Sequence, residues 1–565
     1  MRMSIGHFLL RRLEEAGIRH IFGVPGDYNL EFMQQLEDRG RPAWIGNCNE
    51  LNASYATDAY ARINGIGAMA VTHGVGTLSA INGIAGAYSE HVPVILISGS
   101  LPLRSVQRGE LMHHSLAERG KGDLCRIFTE VTAAQAQLTP ENAVAEIDRI
   151  ILTAWRRKLP VYLELPSDIS WLEVEVPESP IKLEMLPSDP ENLKACTKVI
   201  LERLNAAKSP AFLLDIDAMR LGVSMQIMEL AERFNMHVAT LNCAKGAVPE
   251  SSPQFVGIYA GVASAPATRE AIEGSDCLLT VGYRRVESTT GFFTDKLPLS
   301  TIHLNATWVD MADKNFQGVC LRELLQSIID SSSGMATKKE PARPTKRVDF
   351  VPSNAPLTQS EYWKAIQNFL QPGDVIVVED GTSSAGFGRL TLPDDCTYIT
   401  GAYVWCSIGY ATPALLGAIL ATPGRRHILL TGEGSLQMTV QEISTVMRHD
   451  LKPFIFVNEN QGYTVERAVL GKDARYNDIA TWRYSELPYV FSREKKAETY
   501  LVRTSNDLQR VLNSPHSTMV FMECVMDKYD APYDLVLGGH AIANTDYGAR
   551  GPQSAVNAQI PMPAR

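Results

Sequence analysis

The chain has 565 residues, too many for one hydrophobic core, and length alone suggests roughly three or four domains. Apolar residues make up 45% and charged residues 21%, the proportions of an ordinary globular protein. The net charge of −10 argues against nucleic acid and anionic membrane as partners, so an anionic substrate must be attracted by a local arrangement.

At the N-terminus the apolar run is too short for a signal peptide and charges follow it at once. Ile5, Phe8, Leu9, Leu13 and Ala16 trace one face of a helix instead. Short β-branched runs then alternate with helical patterns: Val94 to Ser98, Ala211 to Leu214, Val375 to Val378, His427 to Leu430 and Phe454 to Val457. Continuous apolar strands between amphipathic helices imply parallel sheets covered on both faces. Pro177 to Pro190 and Ser331 to Pro356 read as linkers. The expected architecture is α/β, with three doubly wound parallel-sheet domains at 1–176, 190–335 and 355–540. A tail, 541–565, is rich in Gly, Pro, Asn and Ala and is expected to be loosely ordered from about Ala541. The longest apolar stretch, Ala402 to Pro423, contains Ser407, Gly409, Pro413 and Gly417 and reads as a buried helix, not a membrane span. Nine scattered cysteines without a CxxC suit reduced thiols in a cytoplasm.

The most informative stretch is His427 to Glu466. A strand runs into Gly432-Glu433-Gly434-Ser435, then a helix with Leu436, Val440, Ile443 and Met447 on its apolar face. A second strand leads into Asn458-Glu459-Asn460-Gln461-Gly462-Tyr463. Gly432 and Gly434 let the backbone approach an anion, and the helix start offers free N–H groups. Taken alone, Gly-Glu-Gly is as readily a tight turn. The Glu433 carboxylate, the Asn460 amide oxygen and the Gly462 carbonyl are hard donors that, with two phosphate oxygens, could complete a Mg²⁺ shell.

This pattern resembles the thiamine diphosphate fingerprint, Gly-Asp-Gly followed by an Asn motif. An independent match comes from Gly23-Val24-Pro25-Gly26-Asp27, Asn49-Glu50-Leu51-Asn52-Ala53, Gly74-Val75-Gly76, Ser79 to Gly86 and His113-His114. Their order and spacing resemble the thiamine-diphosphate-dependent 2-keto acid decarboxylases, the pyruvate, indolepyruvate and phenylpyruvate group, over nearly the full length. A dinucleotide loop at Gly74-Val75-Gly76 is disfavoured because Ser79 stands where its third glycine would be. One departure is Glu433, where the family has Asp. The added methylene moves the carboxylate outward, and Mg²⁺ tolerates poor geometry badly.

The resemblance implies pyrimidine-binding, central and diphosphate-binding domains and a homodimer at minimum, with a homotetramer expected. In such assemblies Glu50 and Glu433 at one site belong to different chains. It implies decarboxylation through an ylid and an enamine, with thiamine diphosphate as electron sink and Mg²⁺ as its anchor. Glu50 matches the glutamate that bonds to the aminopyrimidine, although it would otherwise read as a solvated helix start. Ile408 matches the residue that bends the cofactor, and otherwise reads as core. The Cys406 carbonyl would accept from the amino group, and Asp380, Gly381 and Thr382 approach from the other side. Cofactor contacts are also implied for Gly432, Gly434, Ser435 and Tyr463. Asp27, His113, His114 and Glu466 match the proton-transfer cluster, whose carboxylates are expected to have pKa values raised toward neutrality.

Ser384 and Ala385 stand where pyruvate-preferring relatives tend to place aromatics, and Val465 and Val469 where a larger Ile is common. With Phe292 they would line a pocket roomy enough for large apolar 2-keto acids, each further buried methylene contributing about 0.8 kcal/mol. The alternatives are pyruvate as substrate, with Tyr533 or another tail residue refilling that space, a carboligase of the acetolactate synthase kind, or a non-catalytic homologue marked by Glu433.

Overall fold

In the computed structural model, described for residues 1–117, 123–332, 343, 347–494, 496–548 and 559–562, three large sheets carry the chain. The chain divides into two units. One comprises Met1–Met185, Gly409–Arg425 and Thr439–Leu451; the other comprises Leu186–Ile408, Arg426–Met438 and Lys452–Arg565.

The first unit is built on a six-stranded parallel sheet. Its spatial order is Ala43–Gly46, His20–Gly23, Gly67–Thr72, Val94–Ser100, Val161–Pro166 and Gln135–Gln137. Strand order reverses between His20–Gly23 and Gly67–Thr72, so the crevice at their C-terminal ends is where such a sheet holds ligands. The helix Ile5–Glu15 is capped by Ser4, whose hydroxyl accepts from the His7 N–H, and it buries Ile5, Phe8, Leu9 and Leu13 as its periodicity requires. The apolar stretch from Ala402 forms a buried helix over Ala411–Ala421, closely packed on the helix Glu50–Asn64. A β-carbon at Gly417 would lie 1.9 Å from the Ala56 carbonyl oxygen, so only glycine permits this approach. Tyr410 donates to Asp58 at 2.5 Å, and Arg62 pairs with the same carboxylate at 2.6 Å.

The second unit holds two sheets. One runs Phe255–Ile258, His237–Thr240, Pro210–Leu214, Cys277–Val281, Ile302–Leu304, Trp308–Met311 and Lys314–Gln317. Its first five strands are parallel, but the last two add an antiparallel meander, so this sheet is mixed and not purely parallel as expected. Short hairpin connections there leave no room for a crossover helix. The other sheet is wholly parallel, in the order Thr397–Thr400, Val375–Val378, His427–Gly432, Phe454–Glu459, Met519–Val525 and Ala497–Val502. Its order reverses between Val375–Val378 and His427–Gly432.

Two expectations are corrected here. The helix after Gly434 is two helices, Glu433–Thr439 and Glu442–Arg448. Leu436, Val440, Ile443 and Met447 are all buried, but Thr439 donates its hydroxyl to the Gly409 carbonyl and the chain turns at Val440-Gln441. At its start the tail is ordered: the helix Tyr533–Tyr547 continues past Ala541, with Gly539 at a close helix contact. Most of the second linker, at 333–342 and 344–346, and the tail at 549–558 and 563–565 lie outside the described residues. All nine cysteines are free, and no described helix is long and apolar enough to cross a membrane.

Candidate active site

In the first unit the candidate residues follow the C-terminal ends of four neighbouring strands. Asp27 opens a short 3-10 turn after His20–Gly23, and Glu50 is the first residue of the helix Glu50–Asn64, capped by the Asn49 side chain accepting from the Asn52 N–H. The Gly74-Gly76 turn lies beside Glu50, since a β-carbon on Gly76 would stand 3.1 Å from Glu50 Oε1. Asp27, His113 and His114 come together. His113 Nε2 is 2.8 Å from Asp27 Oδ2, and the ligating atoms of all three lie within 4.8 Å of one another. Tyr28 stacks on His113 at 4.8 Å, its hydroxyl 3.1 Å from His113 Nδ1 and donating to the His113 carbonyl at 3.2 Å. Burial first, and His114 second, push the neighbouring His73 down to about 4, so its ring is neutral at physiological pH.

A residue that the sequence did not single out organises the Glu50 turn. Glu442, fully buried, accepts from Asn47 Nδ2 and Asn52 Nδ2, both at 2.8 Å, and from the Cys48 N–H at 3.3 Å. A glutamate inside an apolar helix face was the available signal.

In the second unit the loops after three adjacent strands converge. Glu433 is 2% exposed, and its Oε1 accepts from the Gly462 N–H at 2.7 Å and the Asn460 N–H at 3.2 Å. The carboxylate of this side chain thus reaches the Asn loop. The Asn460 amide faces the Gly462 carbonyl oxygen at 2.8 Å and Glu433 Oε1 at 3.2 Å. With its NH₂ turned inward it satisfies both, and its oxygen accepts from Thr464 Oγ1 at 3.1 Å. Turned over, it brings a third oxygen to the same point, a donor set suited to a hard divalent cation. Burial, opposed by the backbone N–H bonds, pushes the Glu433 carboxyl up to about 7. Gly434 is required by the Tyr463 ring, which a β-carbon there would meet at 2.7 Å. Gly432 and Ser435 complete the turn, and Ser435 is buried.

Asp380 follows Val375–Val378 and accepts from the Gly381 N–H at 2.8 Å and Ser384 Oγ at 3.5 Å. Gly381, at φ 106°, needs the freedom of glycine, and Thr382 begins the next helix. Burial raises the Asp380 carboxyl above its usual range against the hydrogen bonds from Gly381, Ser384 and Cys406. Cys406 holds φ 55°, which accounts for a position often occupied by glycine, and Ile408 is half-buried. Glu466, on the helix Thr464–Val469, is solvent-accessible, yet the protein around its carboxyl and, secondarily, Asp380 raise it above the usual carboxylate range.

Arg467, next to Glu466, is fully buried and missing from the sequence reading. It donates to the carbonyls of Asn460 at 3.3 Å, Gln461 at 2.6 Å and Asn477 at 3.4 Å, and pairs with Asp478 at 2.9 Å. It thus fixes the loop that carries Asn460 and Gly462. Of the pocket residues, Ser384 and Val469 are buried. Ala385 and Val465 pack on the cluster of Ala468, Ala531, Leu535, Val536 and Ile560. Phe292 lies in a turn at φ 59°, its N–H donating to the Glu287 carbonyl at 2.8 Å. In the same segment Ser288 donates its hydroxyl to the Tyr403 carbonyl, and Tyr403 donates to the Ser384 carbonyl at 3.3 Å.

Comparison with known proteins identifies the family. Family models for the thiamine pyrophosphate enzymes match the N-terminal binding domain at residues 3–118, the central domain at 197–318 and the C-terminal binding domain at 381–512. The chain is 37% identical to a pyruvate decarboxylase of Aspergillus fumigatus over 96% of its length and 97% of the relative's. Pyruvate decarboxylase isozyme 2 of Saccharomyces cerevisiae is 35% identical, with 96% and 99% covered. An alpha-keto-acid decarboxylase of Mycobacterium tuberculosis is 38% identical, with 94% and 95% covered. With its three matching domains and these full-length relatives, the chain belongs to the thiamine-diphosphate-dependent 2-keto acid decarboxylases.

Proposed function

We propose that the enzyme decarboxylates large apolar 2-keto acids, aromatic, branched or long-chain, to the corresponding aldehydes, with Mg²⁺ held by Glu433, Asn460 and Gly462. The observation that supports the metal assignment is the convergence of the Glu433 carboxylate, the Gly462 carbonyl and the Asn460 amide, the first two lying 3.2 and 2.8 Å from that amide. Bound thiamine diphosphate supplies the electron sink for the carboxylate's departure. Glu50, at the start of its helix, hydrogen-bonds the pyrimidine ring. Ile408 would bend the cofactor, the Cys406 carbonyl would accept from its amino group, and Asp380, Gly381 and Thr382 would approach the cofactor from the other side. The turn Gly432-Glu433-Gly434-Ser435 and Tyr463 receive the diphosphate. Asp27, His113 and His114 hold and pass protons in one unit, and Glu466 does so in the other. A carboxyl raised toward neutrality, as Glu466 is, gives and takes protons at working pH. Titration calorimetry of thiamine diphosphate with Mg²⁺ tests the anchor: Glu433→Ala must weaken uptake, and unchanged affinity would refute the assignment.

Small side chains at Ser384, Ala385, Val465 and Val469 support the substrate size. The packing of Leu535, Val536 and Ile560 against Ala385 and Val465 favours a second reading, in which the C-terminal segment fills that space and pyruvate is preferred. The ratio of kcat/KM for phenylpyruvate over pyruvate decides: a value above one supports the large pocket, a value below one the alternative. The resemblance further supports a homodimer at minimum and a homotetramer, measurable by sedimentation. The free, scattered thiols suit a cytoplasmic setting.

A further inference from the structure

Asp27, His113 and His114 offer two imidazoles and one carboxylate around a common point, with ligating atoms within 4.8 Å of one another. We propose that this cluster is a second metal site, selective for a late first-row divalent cation such as Zn²⁺ or Co²⁺ over Mg²⁺. The two candidate sites differ in donor chemistry. Glu433, Asn460 and Gly462 present oxygen only, which suits Mg²⁺, whereas imidazole donors favour zinc, cobalt, nickel and copper.

The geometry needs little change. Bonds of about 2.0–2.1 Å in a tetrahedral site set neighbouring donors about 3.4 Å apart. The edge of 2.8 Å between His113 Nε2 and Asp27 Oδ2 must open, and the widest edge must close. Side-chain rotation suffices, because the Asp27 and His113 side chains are 49% and 56% exposed. The backbone behind them is fixed. His114 sits at φ 64°, and Gly74 packs so closely that a β-carbon on it would lie 1.9 Å from the His114 carbonyl oxygen.

A metal-bound imidazole usually donates its other N–H to an oxygen that fixes the tautomer. Tyr28 provides that oxygen. Its hydroxyl donates to the His113 carbonyl at 3.2 Å and lies 3.1 Å from His113 Nδ1, so it can accept the Nδ1 proton and leave the Nε2 lone pair facing Asp27. In the other tautomer Nε2–H donates to Asp27, which is the arrangement without a cation. The neighbouring His73 adds no charge to repel one. Three protein donors leave a fourth position for water or a substrate carboxylate. Occupancy ties up the lone pairs assigned above to proton transfer, so Zn²⁺ inhibits.

Binding is read without turnover, and so stands or falls separately from the decarboxylase assignment. Protein dialysed against thiamine diphosphate and excess Mg²⁺ is titrated with Co²⁺, and its visible absorption followed. The expected result is one Co²⁺ per chain with a ligand-field band, displaced by Zn²⁺ and unaffected by more Mg²⁺. His113→Gln and His114→Gln should each weaken Co²⁺ binding by at least about tenfold. Glu433→Gln should leave the band in place. Circular dichroism and thermal melting confirm that the variants fold. Three results would overturn the proposal: displacement of Co²⁺ by Mg²⁺, full-affinity binding in the double histidine variant, or a thiolate charge-transfer band marking binding at cysteine.

Discussion

The carboxyl of Glu433 accepts two backbone N–H bonds and is still lifted to about 7, because desolvation outweighs them. Its unfolded value is 4.5, so between the two the native state holds more protons than the unfolded state, and stability falls as pH rises through that window. Ionising a carboxyl moved that far costs the folded state about 3 kcal/mol once pH exceeds the raised value. Glu433→Gln removes this cost. In protein free of cofactor and metal, the variant should melt above the wild type at pH 8, with the difference vanishing near pH 5. Equal melting temperatures across that range would show that the carboxyl is not so perturbed. Burial acts likewise on thiols: Cys125 and Cys196 are pushed up to about 12 and Cys277 to about 11. Little thiolate exists there at neutral pH, whereas Cys48 is exposed. Mass spectrometry after iodoacetamide treatment at pH 7.5 should find Cys48 alkylated and those three spared. The motif around Glu433 was legible as residue types in order. The amide choice at Asn460 and the guanidinium of Arg467 behind it were not, because backbone carbonyls leave no mark in a sequence.

Between elements, the contact of the helices Thr464–Val469 and Tyr533–Tyr547 decides how the Glu466 helix is seated. Gly539 is the point of closest approach: a β-carbon there would lie 2.7 Å from both the Ala468 carbonyl carbon and its β-carbon. The tail then returns over the same helix, with Gln559 donating to the Val469 carbonyl at 2.8 Å and Ile560 to that of Arg467 at 3.4 Å. Gly539→Ala should therefore destabilise by about 1–3 kcal/mol and speed proteolytic loss of the tail. Gly538→Ala, where a β-carbon meets nothing within 4 Å, should be neutral or stabilise by up to about 1 kcal/mol, since alanine is the better helix former. Thermal melting and limited proteolysis compare the pair. Read as composition, the glycines and alanines of this segment suggested looseness. Small residues serve a close helix crossing equally well, and composition does not distinguish the two. The periodicity that predicted one helix from Leu436 to Met447 was right about burial and wrong about continuity. An apolar face survives a turn at Val440-Gln441, and the hydrogen bond from Thr439 to Gly409 that accompanies it links residues far apart in the chain.

Over the whole molecule, the segments Gly409–Arg425 and Thr439–Leu451 join the unit of the first 185 residues, although they connect strands of the last sheet. Glu442 is the polar centre of that arrangement. Glu442→Ala would leave the Asn47 and Asn52 amides without their acceptor, and a loss of about 3 kcal/mol is expected. Faster hydrogen exchange at residues 47–52 and a lowered melting temperature would report it, and unchanged exchange there would refute the role. The sequence by itself determined the α/β class, the strands, the order of the cofactor motifs and the family, because periodicity and motif spacing are local properties that survive without coordinates. Only the tertiary structure decided that Glu442 holds the Glu50 turn, that Arg467 clamps the Asn loop and that Asp27 meets both histidines. Those contacts depend on where crossover helices and loops return in space, and burial, which sets their strength, is a property of the packed chain alone.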